Sequence, residues 1–267
     1  MHAAAVFQVR ENGGLRLKIR YILPGVLTKT DLGPAEVARR QEKLRGWASP
    51  GTYVDVAEVD RGPATIESMY EEYLSVPASA ECALRAQKEG FDAAIIGCFG
   101  DPGLDALREL CDMLVVGPAG ASIAMASGLG HRFSIVTVVP GIVDNMRRLA
   151  WDAGAYDKLA SVRAVDVSVL EINRGPDAAL KRMLEVAAKT IEDDGAQVVV
   201  LGCMSMGFLD VAEKMTVELG VPVLNPVRVS LKVAEGLAAC GLTHSRRAYL
   251  KPRKMAAGMR VEDLLVK

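Results

Sequence analysis

An α/β fold of mostly parallel sheets, built as two similar halves facing each other across one cleft, is what this sequence predicts. Two observations carry that prediction. Short apolar runs alternate with helical segments along almost the whole chain, the rhythm of strand–helix–strand units. In addition, a buried-looking run ending in Gly-Cys occurs twice, at Gly97-Cys98 and at Gly202-Cys203. Open parallel sheets bind ligands beyond the carboxyl ends of their strands, so two such turns place two thiols at facing strand ends.

Each element follows from local pattern. Residues 1–15 read as a loose extension. Residues 15–23 alternate apolar with Arg16, Lys18 and Arg20, a half-buried strand, and Pro24-Gly25 ends it. Residues 34–47 have helical spacing, with Pro34 suited to the first turn. A strand at 52–59 precedes helical segments at 66–73 and 78–89, with Gly90 as a left-handed cap. Residues 91–97 are apolar on both faces and predict a central strand. The alternation continues with a helix at 104–112, a strand at 113–116, a helix at 119–129 and a strand at 133–138. A helix at 143–153, a strand at 162–170 and a helix at 177–194 follow. Then come a strand at 197–201, a helix at 209–219, a strand at 221–224 and a helix at 228–239 capped by Gly241.

Composition narrows the function classes. The formal charge of −1 creates no field favouring nucleic acid or an anionic membrane. The basic cluster of Arg246, Arg247, Lys251, Arg253 and Lys254 reads as a solvated tail. No apolar stretch reaches the length of about 18 residues that a membrane helix needs, and the start lacks the pattern of a signal peptide. Five cysteines, an odd number, fit a reducing compartment and a cytoplasmic protein. With three histidines and neither Cys-x-x-Cys nor His-x-x-x-His spacing, the sequence argues against a metal site.

Paired thiols suggest proton transfer. Inverting a stereocentre beside a carbonyl needs a base on one face of the carbon and an acid on the other, exchanging roles for the reverse reaction. Two like groups in mirrored settings meet that demand without metal or cofactor. A free thiol has a pKa of about 8.5, which a helix N-terminus lowers, so one residue can be thiolate while its partner is thiol. Backbone N–H groups of residues 98–100 and 203–205 can stabilise the developing enolate-like charge. A cysteine beside a buried strand is also a common small core residue, and spacing alone leaves both readings open. Cys82, Cys111 and Cys240 fall in or beside helices and read as packing residues. Thr137, at a strand's carboxyl end, is either a β-former or a donor into the cleft. Asp101, within turn chemistry, reads as a helix cap.

Several segments resemble the hydantoin racemases of the aspartate/glutamate racemase superfamily. Gly97-Cys-Phe-Gly-Asp-Pro-Gly-Leu-Asp105 is similar to their first catalytic segment, and Leu201-Gly-Cys-Met-Ser-Met206 to their second. Gly62-Pro-Ala-Thr-Ile-Glu67, Arg132-Phe-Ser-Ile-Val-Thr137 and Leu242-Thr-His-Ser-Arg-Arg247 also match, so the resemblance covers roughly residues 16–255. It implies two flavodoxin-like halves related by a pseudo-two-fold, with the chain crossing into the second half and back. The halves would be residues 16–117 with 226–250, and 118–225, leaving 251–267 as a tail. It implies a cofactor-independent racemase acting at C5 of a 5-substituted hydantoin or of allantoin, with Cys98 and Cys203 as the bases. Pro24, Gly25, Phe99, Gly100, Gly117, Thr137, Met204 and Ser205 would contact the small-molecule substrate. Homo-oligomers are expected, with no nucleic-acid or membrane partner.

The chain departs from that family in one place. Their first strand commonly ends in Asn-Pro-Asn, where this chain has Leu23-Pro24-Gly25. An amide donor and acceptor give way to an apolar residue and a bare turn. It also lacks the Asn-Thr and Thr-His that follow the two cysteines in free amino-acid racemases. A cis–trans isomerase or decarboxylase of the same superfamily, or a binding protein keeping the cleft without turnover, are the alternative readings.

Overall fold

Parallel strands joined through helices account for most of the chain. The computed structural model describes residues 17–264; the expected N-terminal extension lies outside them. In chain order the elements are β1 (Leu17–Leu23), α1 (Gly33–Trp47), β2 (Thr52–Glu58), α2 (Met69–Lys88), β3 (Ala93–Ile96), α3 (Leu104–Leu110) and β4 (Leu114–Val116). Next come α4 (Pro118–Leu129), β5 (Phe133–Thr137), α5 (Val143–Asp152), β6 (Leu159–Ala164), α6 (Val169–Arg174), α7 (Pro176–Glu192) and β7 (Val198–Leu201). Finally there are α8 (Met204–Phe208), α9 (Ala212–Leu219), β8 (Val223–Leu224), α10 (Pro226–Ala239) and α11 (Arg253–Ala256).

Two four-stranded sheets result, ordered β2-β1-β3-β4 and β6-β5-β7-β8, with every pairing parallel. The same order recurs in both, so β3 and β7, which precede the two cysteines, are equivalent strands. Both are fully buried, as strands covered on each face must be. One continuous core runs through both sheets, from Ile19, Tyr21 and Leu23 of β1 to Val136, Val199 and Phe208. A second cluster joins the other face of the first sheet (Ile22, Ala94, Ile96, Val115) to Ala83 and Ala86 of α2 and Leu107 of α3. After the second sheet, α10 returns to pack on β1, β3 and β4.

Three elements differ from the sequence expectation. The segments at 66–73 and 78–89 are one helix, α2, running through Pro77. Proline costs an interior helical bond, but burial of Ala78, Cys82, Ala83 and Ala86 on one face outweighs the loss. The strand expected at 162–170 ends at Ala164. Asp166 there adopts a left-handed conformation (φ 59°), and Ser168 with Glu171 forms a capping box that opens α6. The helix expected at 209–219 is preceded by a short one, α8, that starts directly after Cys203. The basic C-terminal cluster is also only partly solvated: Arg246 donates to the carbonyls of Arg108 and Glu109 at the end of α3 and pairs with Asp112.

Candidate active site

Gly97 and Gly202 come before the two cysteines for a packing reason. The N–H of Gly97 donates to the Ile22 carbonyl at 2.7 Å, and that of Gly202 to the Val136 carbonyl at 2.7 Å. Each strand's last bond therefore pulls the following residue against the neighbouring strand. A Cβ on Gly97 would lie 2.5 Å from the Ile22 oxygen, and one on Gly202 would lie 2.7 Å from Ile135 Cγ2. Only glycine fits, and the cysteine that follows is held at the sheet edge in each half.

Cys98 and Cys203 line one cavity, with Leu23, Pro24, Gly25, Phe99, Gly100, Met204 and Ser205 around them. About 630 Å³ of space lies between these residues, open solvent at the mouth included. Leu27, Ile66, Val138, Ile142, Met146 and Val169 make apolar walls. The turn at Pro24-Gly25 packs on the loop at residues 62–64, where Val26 N–H donates to the Pro63 carbonyl at 2.9 Å.

Burial pushes both thiols above the usual cysteine range. Backbone N–H groups oppose that effect: Gly100 donates toward Cys98, and Met206 and Ser205 toward Cys203. The Gly100 and Ser205 amides, expected to face the substrate, thus act with that of Met206 on the sulfurs and favour the thiolates.

Two other expected contacts move away from the cavity. Thr137 is fully buried, and its hydroxyl donates to the Gly202 carbonyl at 3.4 Å. It braces the turn before Cys203, because its side chain follows the sheet interior instead of the strand's open end. Gly117 lies outside the lining, before α4, where a Cβ would collide with the Asp101 carboxyl at 2.4 Å. Asp101 is a cap, though not of the helix it precedes in sequence. Its two oxygens accept from Ala119 and Gly120 N–H at 3.0 Å each, at the start of α4. Burial pushes its carboxyl up to about 7.

Sequence reasoning misses two charged residues in the lining. Arg40 of α1, 3 % exposed, pairs with Glu36 at 2.7 Å and donates to the Ser205 hydroxyl at 2.9 Å. Its guanidinium stacks 4.8 Å from the Phe208 ring centre. Glu72 of α2, 5 % exposed, accepts from Asn145 at 2.8 Å. Its carboxyl packs against Gly100, where a Cβ would fall 2.0 Å from Oε1. Burial raises Glu72 to about 7, with Arg148 opposing and Asp101 assisting. The sequence holds a signal for each. Glu72 shares a helical face with Ser75, Ser79, Ala83 and Ala86, and Arg40 shares one with Glu36 and Leu44, faces that are buried. Beneath both cysteines lies Tyr21, fully buried, whose hydroxyl has no hydrogen-bond partner among the described residues.

A family model described as Asp/Glu/hydantoin racemase matches residues 36–234. The hydantoin racemase of Paenarthrobacter aurescens is 40% identical over 205 residues, covering 76% of this chain and 86% of that protein. The hydantoin racemase of Pseudomonas sp. (strain NS671) is 36% identical over 240 residues, covering 89% and 93%. Among solved structures, the allantoin racemase from Klebsiella pneumoniae superposes with a TM-score of 0.81 at 32% identity, covering 88% of this chain and 94% of that one.

Proposed function

Because the chain belongs to the Asp/Glu/hydantoin racemase family, and is thereby a racemase, we propose that it inverts C5 of a 5-substituted hydantoin or of allantoin with Cys98 and Cys203. One sulfur, as thiolate, removes the C5 proton. The electron pair moves into the adjacent ring carbonyl, and the opposite thiol delivers its proton to the other face. The enzyme ends with the two protonation states exchanged, ready for the reverse reaction.

The observation that carries this reading is the pair of glycine-enforced strand ends opening onto one cavity. Burial supports it too: a thiol pushed upward gives a stronger base once ionised, which suits a weak carbon acid. In the proposed working unit, residues 16–117 with 226–250 form one wall and 118–225 the other.

The test is solvent exchange. In heavy water, a single enantiomer of a 5-substituted hydantoin or of allantoin should gain deuterium at C5 as it racemises. Cys98→Ser and Cys203→Ser should each abolish racemisation, with any residual exchange confined to one enantiomer. Normal racemisation by both variants would overturn the two-base reading.

A further inference from the structure

The two cysteines occupy equivalent places, but their surroundings are not equivalent. On the Cys203 side stands Arg40, bonded to the Ser205 hydroxyl two residues away and locked by Glu36 and the Phe208 ring. A guanidinium keeps its charge at any working pH. Glu67 also faces Cys203 and opposes Arg40 there; it accepts from the Val169 N–H at 3.0 Å and the Thr65 hydroxyl at 3.2 Å. On the Cys98 side the facing groups are Glu72, Asp101 and Cys203 itself, with Glu72 pressed against Gly100. Tyr21 lies under both sulfurs and also senses Arg40, so it does not separate them.

Resting on the two-base reading above, we propose that the free enzyme has a fixed polarity: Arg40, with the Ser205 and Met206 amides, makes Cys203 the more readily ionised thiol, and Glu72 keeps Cys98 the more firmly protonated one. Arg40 and Glu72 are then positioning residues for the proton, acting through the sulfurs. Coulomb's law gives the sign, since a cation favours the neighbouring thiolate and an anion disfavours it. With Glu72 raised to about 7, its opposition to the Cys98 thiolate is weak below neutrality and full above it. The enantiomer whose C5 hydrogen faces Cys203 would meet the more readily formed base, and the other the less readily formed one.

Alkylation of the full-length protein by iodoacetamide without substrate, read at each cysteine by peptide mass spectrometry across pH, tests this. Cys203 should ionise at lower pH than Cys98. Accessibility alone ranks their reactivity the other way, since Cys203 is buried and Cys98 only half-buried. Glu72→Gln should raise the Cys98 rate about tenfold above neutrality, as for a one-unit fall in its midpoint, and leave Cys203 unchanged. Arg40→Met should lower the Cys203 rate and spare Cys98. A wild-type Cys98 midpoint at or below that of Cys203 would overturn the proposal, as would equal shifts of both thiols in Glu72→Gln. Because the readout needs no turnover, it stands apart from the exchange test: fixed polarity can fail while racemisation by two bases holds.

Discussion

Replacing Glu72 by glutamine should stabilise the protein, and only at high pH. Burial raises this carboxyl from its ordinary 4.5 to about 7, so the folded chain holds the proton more tightly than the unfolded one. Between those two values the folded state binds more protons, and stability must fall as pH rises through that window. The loss is complete above about pH 7.5. At about 1.4 kcal/mol per unit, the shift corresponds to roughly 3 kcal/mol. Glutamine resembles the protonated acid in shape and keeps an oxygen to accept from Asn145, so the variant removes ionisation and little else. Asp101, also raised to about 7 by burial, adds a slope common to both proteins except for the part that it shares with Glu72. Urea unfolding by circular dichroism at about pH 4 and about pH 8.5 reads the effect. Equal stability at the lower pH and a gain of roughly 2–3 kcal/mol at the higher are expected. A difference independent of pH, or a variant less stable at about pH 8.5, would refute the reasoning.

Gly97→Ala should cost about 2–4 kcal/mol in urea unfolding, because its Cβ would meet the Ile22 carbonyl oxygen at 2.5 Å; a loss below about 1 kcal/mol would mean the strand end can give. Tyr21→Phe should raise stability by about 1 kcal/mol, since its buried hydroxyl has no partner and removing an unsatisfied group relieves its desolvation. A lower melting temperature would show that the hydroxyl is satisfied in solution. Thr137→Val should leave KM within about twofold, because the hydroxyl turns to Gly202 and away from the cavity; a rise of about tenfold, near 1.4 kcal/mol of lost binding, would return Thr137 to the ligand.

The parts of the fold legible in the sequence are those where one physical demand dominates. Residues 93–96 and 198–201 are apolar on both faces because they are central strands, and the glycine after each is required by the neighbouring strand. Together these two features mark both cysteines as candidates in the amino-acid pattern, while leaving the packing reading open. Misreadings arise where two demands compete. Val165, Val167 and Val169 alternate like a strand, but Val165 and Asp166 spend their N–H groups on the carbonyls of Thr137 and Val138, wrapping the end of β5. The capping pair Ser168 and Glu171 is the sign that a helix begins there. Pro77 reads locally as a helix break, although the buried face around it spans the whole of α2.

Symmetry explains why the charged members of the site are hidden. A repeated Gly-Cys turn announces itself because the two sheets share one strand order, and the eye for repeats finds what both halves keep. Arg40 and Glu72 come from α1 and α2, both attached to the first sheet, and they stand beside opposite Gly-Cys turns, Arg40 on Ser205 and Glu72 on Gly100. No repeat marks them; their trace is a charge on an otherwise buried helical face. Proton transfer in both directions asks for matched bases, while a defined resting state asks for unmatched surroundings. On the proposed reading the strands meet the first demand and the helices the second, so substitutions at the strand ends should abolish turnover, and those at Arg40 or Glu72 should redistribute the proton between Cys98 and Cys203.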